Sequence, residues 1–112
     1  MLGMAFKKDV DDLRHSPALK VMELLMQDGF KNVTYHDPYI PAVDVHGTMM
    51  KSQGSLTPAM LKKYDIVVIT TDHTCFDYSM IVKNAKVVID TRNATKKIRG
   101  SKKNVVLLGS GT

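Results

Sequence analysis

The segment Asp65-Ile66-Val67-Val68-Ile69-Thr70 decides the fold class. Its four consecutive branched apolar residues are typical of a strand that is buried on both faces, as strands of parallel sheets are. Residues 86–90 and 104–108 have the same character, and residues 2–6 and 32–36 predict two further strands. The chain therefore contains five candidate strands of a parallel sheet.

Helix signals lie between these strands. Ser16-Pro17 and Thr57-Pro58 each place a capping hydroxyl before a proline at the first helical position. Asp77 opens a third helix, which we expect to run to about Asn84. The first helix should end at Gly29, which can adopt the left-handed cap, and its core-facing stripe is predicted to be Ala18, Val21, Leu24 and Leu25.

The order of these signals predicts the architecture. Alternating strands and helices indicate a three-layer, Rossmann-like α/β domain with a parallel sheet and helices on both faces. We expect residues 1–112 to form one such domain, because the length suits one core and no boundary is visible inside it. Residues 39 to about 56 show no period and predict a long connection.

Composition and charge narrow the function. The net charge of +5 and the pI near 9.4 favour an anionic partner. A nucleic-acid-binding domain stays an alternative but lacks aromatic residues among its cations, and we expect a solvated loop at Lys96, Lys97, Arg99, Lys102 and Lys103. The single cysteine, Cys75, and the absence of a membrane-length apolar run or a signal peptide predict a cytoplasmic protein.

Chemistry is expected at the carboxyl ends of the strands, where open parallel sheets bind their ligands. The first strand has no glycine-rich turn after it, so the chain lacks the dinucleotide fingerprint. A bound phosphate would then need cationic side chains, and Lys7 and Arg92 follow two different strands. The alternative, which spacing alone favours, is that each cation pairs with a carboxylate such as Asp9, Asp11 or Asp90.

The other polar residues predict neither a metal site nor an acid–base pair. His15, His36, His46 and His73 do not have the spacing of a metal site, so we expect no metal. Asp37-Pro38 predicts a turn that closes the second strand. Asp11 and Asp12 are expected to orient Lys7 and Arg14 or to cap a loop, rather than to act as an acid–base pair.

Five segments, in order, resemble the C-terminal, UDP-binding domain of the UDP-glucose/UDP-N-acetylhexosamine 6-dehydrogenase family. The longest is residues 3–18, GMAFKKDVDDLRHSPA, and the others are HDPY at 36–39, TDH at 71–73, FDY at 76–78 and VIDTRN at 88–93. Together they span nearly the whole chain. The hexosamine branch of the family usually has Glu at the position of His15.

The resemblance implies a larger enzyme of polysaccharide biosynthesis. Such an enzyme oxidises C6 of a UDP-hexose to the uronate with NAD, here with a UDP-N-acetylhexosamine expected. Its N-terminal domain holds NAD, and its middle region dimerises and supplies the catalytic Cys. We therefore expect this chain to belong to a longer homodimeric oxidoreductase, to lack membrane partners and to be inactive alone.

Residue roles carry over by position. Phe6, Lys7 and Arg92 resemble the residues that contact UDP, and Arg14 resembles the residue that completes the NAD site. Cys75 does not match the family's catalytic Cys, so no catalytic residue is expected in this chain. The rival from another class is a receiver-like signalling domain, but Asp72 lacks the acidic cluster which that function needs.

Overall fold

The computed structural model describes residues 1–5, 9, 16–30, 32–45, 47–98, 100 and 103–108. Within this part of the chain the helices are α1 (Pro17–Gln27), α2 (Pro58–Lys63) and α3 (Tyr78–Asn84). The strands are β1 (Ala42–Val45), β2 (Thr48–Lys51), β3 (Val67–Ile69), β4 (Val88–Asp90) and β5 (Val105–Leu107). No helix of the described residues is long and apolar enough to cross a membrane.

The three strongest strand signals form a parallel sheet in the order β3–β4–β5, with Val67 opposite Val88 and Val88 opposite Val105. Leu2 extends this sheet beyond β3 by single parallel bridges to Ile69 and to His36. We call residues 1–5 the Leu2 segment and residues 32–36 the His36 segment. The spatial order is therefore the His36 segment, the Leu2 segment, β3, β4 and β5. The predicted α/β class with a parallel sheet is confirmed.

The predicted strands at 2–6 and 32–36 are much shorter than expected. Gly3 has a φ of 99°, which ends the extended backbone directly after Leu2. The next two N–H groups, those of Met4 and Ala5, donate to a carboxylate instead of to a neighbouring strand. Pairing is thereby limited to Leu2 on one side and His36 on the other.

The helices pack into two apolar clusters. Helices α2 and α3 cover the first, which consists of Leu2, Leu61, Val67, Ile69, Phe76, Ile81, Ala85 and Val88. Helix α1 and strand β1 belong to the second, which consists of Met4, Ala5, Ala18, Met22, Tyr35, Ile40, Val43 and Val45. The Leu2 segment contributes to both clusters, because Leu2 packs in the first and Met4 in the second.

The helix boundaries agree with their signals, but the predicted stripe of α1 is only partly correct. Ala18 is buried and Leu25 half-buried, as predicted, whereas Val21 and Leu24 are 37% and 47% exposed and Met22 is buried in their place. The core-facing stripe is rotated toward the methionines, since Leu19 and Met26 also pack against the second cluster. At the end of α1, Gly29 donates to Met26 and Phe30 to Leu25, which is a Schellman cap.

The capping prediction holds for α2 and fails for α1. Thr57 accepts a hydrogen bond from the Met60 N–H at 3.2 Å, and Asp77 likewise caps α3 through the Met80 N–H at 3.1 Å. The Ser16 hydroxyl makes no such bond. It donates instead to the Met4 carbonyl at 2.6 Å, which ties the start of α1 to the Leu2 segment.

The long connection predicted for residues 39 to about 56 is also wrong. Strands β1 and β2 form an antiparallel hairpin there, with Ala42 opposite Lys51 and Val45 opposite Thr48. Val43 and Val45 are buried and their neighbours are exposed, so the alternation of a half-buried strand is present but only four residues long. A period this short is easily missed in a sequence.

Candidate functional site

The candidate site lies at the carboxyl ends of the parallel strands. Leu2 pairs with His36 on one side and with Ile69 of β3 on the other. The chain runs from Leu2 first to His36 and only later to β3, so the strand order reverses at Leu2. Open α/β sheets bind ligands outside such a reversal point. The polar residues that follow the strands meet here, as the sequence predicts.

Asp37 is a buried carboxylate at this edge and is only 1% exposed. Its Oδ2 accepts hydrogen bonds from the N–H groups of Met4 at 2.7 Å and Ala5 at 2.9 Å. The same oxygen lies 2.9 Å from His73 Nε2, and Oδ1 accepts from the Tyr39 N–H at 2.8 Å. Asp37 thus joins the Leu2 segment to the loop after β3.

The pKa of Asp37 reflects these contacts. Burial by itself raises the pKa of the carboxyl, but the hydrogen bonds from Met4, His73, Ala5 and Tyr39 outweigh it, and the pKa lies below its ordinary value of 3.8. Asp37 is therefore an ionised, fully hydrogen-bonded carboxylate at neutral pH. A group that accepts this many bonds is occupied with holding the chain rather than with proton transfer.

His73 is completely buried and uses both ring nitrogens. Nδ1 accepts the backbone N–H of Asp9 at 2.7 Å, so the proton resides on Nε2, which donates to Asp37. The ring packs between Tyr39, with centroids 4.7 Å apart, and Phe76, at 5.4 Å. The Tyr78 hydroxyl donates to the His73 carbonyl at 2.7 Å, so contacts hold both the ring and the backbone of His73.

Asp9 lies beside this pair with a φ of 62°, a left-handed conformation that is uncommon outside glycine. Its carboxylate accepts the Thr74 N–H at 2.8 Å and the Thr74 hydroxyl at 2.9 Å. The carboxylate thus holds Asp9 against the loop after β3. His73 Nδ1 also holds Asp9, because it accepts the backbone N–H of that residue.

Arg92 follows β4 and is placed by a buried carboxylate. Asp90 is fully buried and accepts hydrogen bonds from the N–H groups of Arg92, Ala94 and Thr95 and from the Thr95 hydroxyl. Burial raises the pKa of Asp90, but these bonds outweigh it and the pKa is lowered. The resulting turn brings Arg92 Nε to within 3.1 Å of the Thr70 carbonyl, at the end of β3.

Two contacts hold Arg92 at this edge. Asp90 accepts the backbone N–H of Arg92, and the guanidinium Nε donates to the Thr70 carbonyl at the end of β3. The Thr70 hydroxyl in turn donates to the Gly3 carbonyl at 2.6 Å. Arg92 is therefore fastened to the edge of the sheet, half-buried and next to the Leu2 segment.

The remaining predicted contact residues, Phe6, Lys7 and Arg14, lie outside the described residues, as do Asp11 and Asp12. Sequence reasoning missed the pairing of Asp37 with His73. It interpreted Asp37 as part of a turn and His73 only as a histidine without the spacing of a metal site. The available signal was position, because both follow buried strand segments that end at the same edge.

A groove of about 860 Å³ lies at the opposite, amino ends of the strands. Met1, Phe30, Tyr64 and Ile66 are among the residues that line it. It contains neither Arg92 nor the Asp37–His73 pair, and its lining is mainly apolar. We place the candidate site at the carboxyl edge, because the groups that can bind a phosphate ester are there.

Comparison with known proteins assigns the chain to a family. Residues 1–97 match the UDP binding domain of the UDP-glucose/GDP-mannose dehydrogenase family. The chain belongs to that family. It is 35% identical over 101 residues to UDP-N-acetyl-D-mannosamine dehydrogenase of Pyrococcus horikoshii, with 86% of this chain and 22% of the relative covered. Over 96 residues it is 33% identical to NDP-N-acetyl-D-galactosaminuronic acid dehydrogenase of Ralstonia nicotianae, covering 80% of this chain and 21% of that relative.

Solved structures agree with this assignment. The structure of UDP-D-ManNAc dehydrogenase from Pyrococcus horikoshii superimposes with a TM-score of 0.66 and 30% identity, over 98% of this chain and 24% of that one. The UDP-N-acetyl-mannosamine dehydrogenase Cap5O from S. aureus gives a TM-score of 0.64 and 29% identity over 95% of this chain and 24% of that one. The chain spans about a quarter of these dehydrogenases, and the Rossmann-like fold is shared with them.

The described residues of this family member do not fit a dinucleotide. A Cβ at Gly3 would lie 2.3 Å from Thr71 Cβ, so this glycine admits the protein's own chain rather than a pyrophosphate. Gly29, Gly47, Gly54 and Gly100 have open surroundings, and none of them directly follows a strand of the parallel sheet. We therefore assign no step to NAD within this part of the chain.

Metal binding has no candidate in the described ranges either. Among these residues, no group of three His, Cys, Asp or Glu side chains is close enough to hold an ion. The contacts of Asp37 and His73 are with protein groups.

Cys75 is exposed and follows Thr74 in the loop after β3. Burial, followed by the charges of Asp9 and Asp37, raises the pKa of its thiol above 9.0. A raised pKa lowers the thiolate fraction and is the opposite of what an activated nucleophile needs.

We expect Cys75→Ala to leave ligand binding unchanged, and the 112-residue chain to reduce no NAD with any UDP-hexose in a spectrophotometric assay. Turnover that the substitution abolishes would contradict this.

Proposed function

We propose that this chain binds the UDP part of a nucleotide sugar within an NAD-dependent UDP-sugar 6-dehydrogenase whose substrate is a UDP-N-acetylhexosamine. The observation that carries the proposal is Arg92, which the Asp90 turn and the Thr70 carbonyl fix at the carboxyl edge of the sheet. It is the described member of the residues that resemble the family's UDP contacts. The names of the relatives support the hexosamine class.

The chemistry of Arg92 suits a diphosphate. A guanidinium stays charged at all physiological pH values and matches the oxygens of a phosphate in a planar, bidentate fashion. Thr70 and Asp90 limit its motion, so less side-chain entropy is lost when a ligand binds. Phe6 and Lys7 are proposed to complete the contact on the basis of the resemblance.

The remaining functions are assigned to the rest of the polypeptide. We propose that it supplies the NAD-binding domain, the catalytic Cys and the dimer contacts, since this chain covers only about a fifth to a quarter of its relatives. Arg14 is proposed to complete the NAD site. The product is a UDP-hexuronate for polysaccharide biosynthesis.

A titration of the 112-residue chain with UDP tests the proposal. We expect weak binding, with a Kd on the order of 0.1–10 mM, because only a few charge-assisted contacts are available in an open site. The affinity should fall as salt rises. In NMR spectra, UDP should shift the amides of Phe6, Lys7 and Arg92 more than those of Lys96, Lys97 and Lys103.

Variants assign the effect to Arg92. Arg92→Ala should weaken UDP binding by about 10- to 100-fold, the range of one charge-assisted hydrogen-bonded contact, whereas Arg92→Lys should recover part of it. Lys103→Ala is the matched control, because Lys103 is an exposed cation of the basic run. Shifts that concentrate on this run, or that short RNA produces equally, would support the nucleic-acid alternative instead.

A further inference from the structure

The buried Asp37–His73 pair contacts the chain on both sides of residues 6–8. On one side Asp37 accepts the N–H groups of Met4 and Ala5 at 2.7 and 2.9 Å. On the other side His73 Nδ1 accepts the N–H of Asp9 at 2.7 Å. The 2.9 Å contact between Asp37 and His73 Nε2 links the two sides into one hydrogen-bonded unit.

The Asp37–His73 pair makes more contacts than the closing of a turn requires. Both side chains are almost completely buried, and the contacts of His73 with Tyr39, Phe76 and Tyr78 fix the ring. Asp9 is held in a left-handed conformation, which in a non-glycine residue persists only where surrounding contacts impose it. His73 and Thr74 supply those contacts.

We propose that His73, oriented by Asp37, is a positioning residue for UDP binding that fixes the backbone at Ala5 and Asp9, the residues flanking positions 6–8. This rests on the proposed function, because positions 6 and 7 are the expected UDP contacts. The role requires a ring whose Nδ1 accepts the Asp9 N–H and whose Nε2 donates to Asp37.

The charged and titratable groups around His73 come from three segments. Asp37 and Tyr39 follow the His36 segment, and Asp9, with Oδ1 3.9 Å from Nδ1, follows the Leu2 segment. The loop after β3 adds Asp72 and Cys75, and the first residue of α3 adds Tyr78. The effect of His73 on binding must therefore be assigned by substitution of His73 itself.

Two substitutions separate hydrogen bonding from packing. His73→Phe keeps a flat ring against Tyr39 and Phe76 but removes both hydrogen bonds. His73→Gln offers one amide donor and one acceptor at a similar separation to the two ring nitrogens. The ligand is UDP-N-acetylglucosamine, whose two phosphates are both esterified and keep a constant charge through the titration.

We expect His73→Phe to weaken binding about three- to tenfold at about pH 8, the effect of losing a backbone anchor, and His73→Gln to restore most of it. Amide hydrogen exchange at Asp9 should accelerate in His73→Phe and stay near the wild-type rate in His73→Gln.

The outcomes distinguish this inference from the function on which it rests. If the wild type and both variants bind equally well, the positioning role is wrong and UDP binding stands. If the wild type does not bind, both are overturned. If His73→Phe does not fold, His73→Leu, which also lacks both hydrogen bonds, takes its place, and wild-type values of affinity and Asp9 exchange in that variant refute the inference.

Discussion

Asp37→Ala should lower the free energy of unfolding by about 3–5 kcal/mol. The substitution removes the acceptor of three backbone N–H groups and of His73 Nε2. A buried donor without a partner costs about 1–3 kcal/mol, and water that enters the space left by the carboxylate reduces the sum. The measurement is urea unfolding followed by circular dichroism.

Two comparisons make the measurement specific. Asp37→Asn keeps an oxygen for Met4, Ala5 and His73 and should cost about 1–2 kcal/mol less than Asp37→Ala, since mainly the Tyr39 contact is lost. Asp65→Ala is the control, because Asp65 is 96% exposed and its ion pair with Lys86 lies at the surface. Equal stability of the Asp37 and Asp65 variants would refute the assigned role of Asp37.

The pH dependence has a definite sign. A carboxyl whose pKa is lowered in the folded state stabilises the fold fully above its unfolded value, 3.8 for Asp37 and Asp90. This stabilisation is lost as the pH falls through the lower folded-state pKa. Asp37→Ala should therefore show a shallower loss of stability in acid than the wild type.

The sequence predicted the parallel sheet well because its strands carry their own signal. Residues 66–69 are apolar without alternation, a pattern typical of a strand in a parallel sheet, although Ile66 is 54% exposed in the structure. Pro58 and Asp77 are equally local signals, and α2 and α3 begin where these residues place them. Arg92 could be placed at the carboxyl edge for the same reason, because it directly follows β4.

The rest depends on contacts between distant residues. Asp37 and His73 are 36 positions apart, and their pairing appears only when the Leu2 segment brings their loops together. Ser16 has an ordinary capping sequence, but its hydroxyl is directed to the Met4 carbonyl, to which it donates. Helix α1 turns Met22 rather than Leu24 to the core, since which apolar face is covered depends on the neighbouring hairpin.

Gly3→Ala should be among the most destabilising single substitutions of the chain, at about 2–5 kcal/mol, for two additive reasons. Gly3 has a φ of 99°, which disfavours any side chain. A Cβ would also lie 2.3 Å from Thr71 Cβ and 2.6 Å from the Thr71 backbone nitrogen. Thr71 cannot retreat, because its N–H donates to the Leu2 carbonyl and its hydroxyl donates to Ala5.

Two other glycines separate these reasons. Gly29→Ala meets no atom within 4 Å but keeps a φ of 88°, so it should show the backbone cost alone, about 1–2 kcal/mol. Gly54→Ala has open space and no positive φ, and should be neutral or stabilising by up to about 1 kcal/mol. Unfolding in urea gives all three values. If Gly3→Ala costs no more than Gly29→Ala, the close approach of the Leu2 segment to Thr71 is wrong, and with it the placement of Asp37 beneath residues 4 and 5.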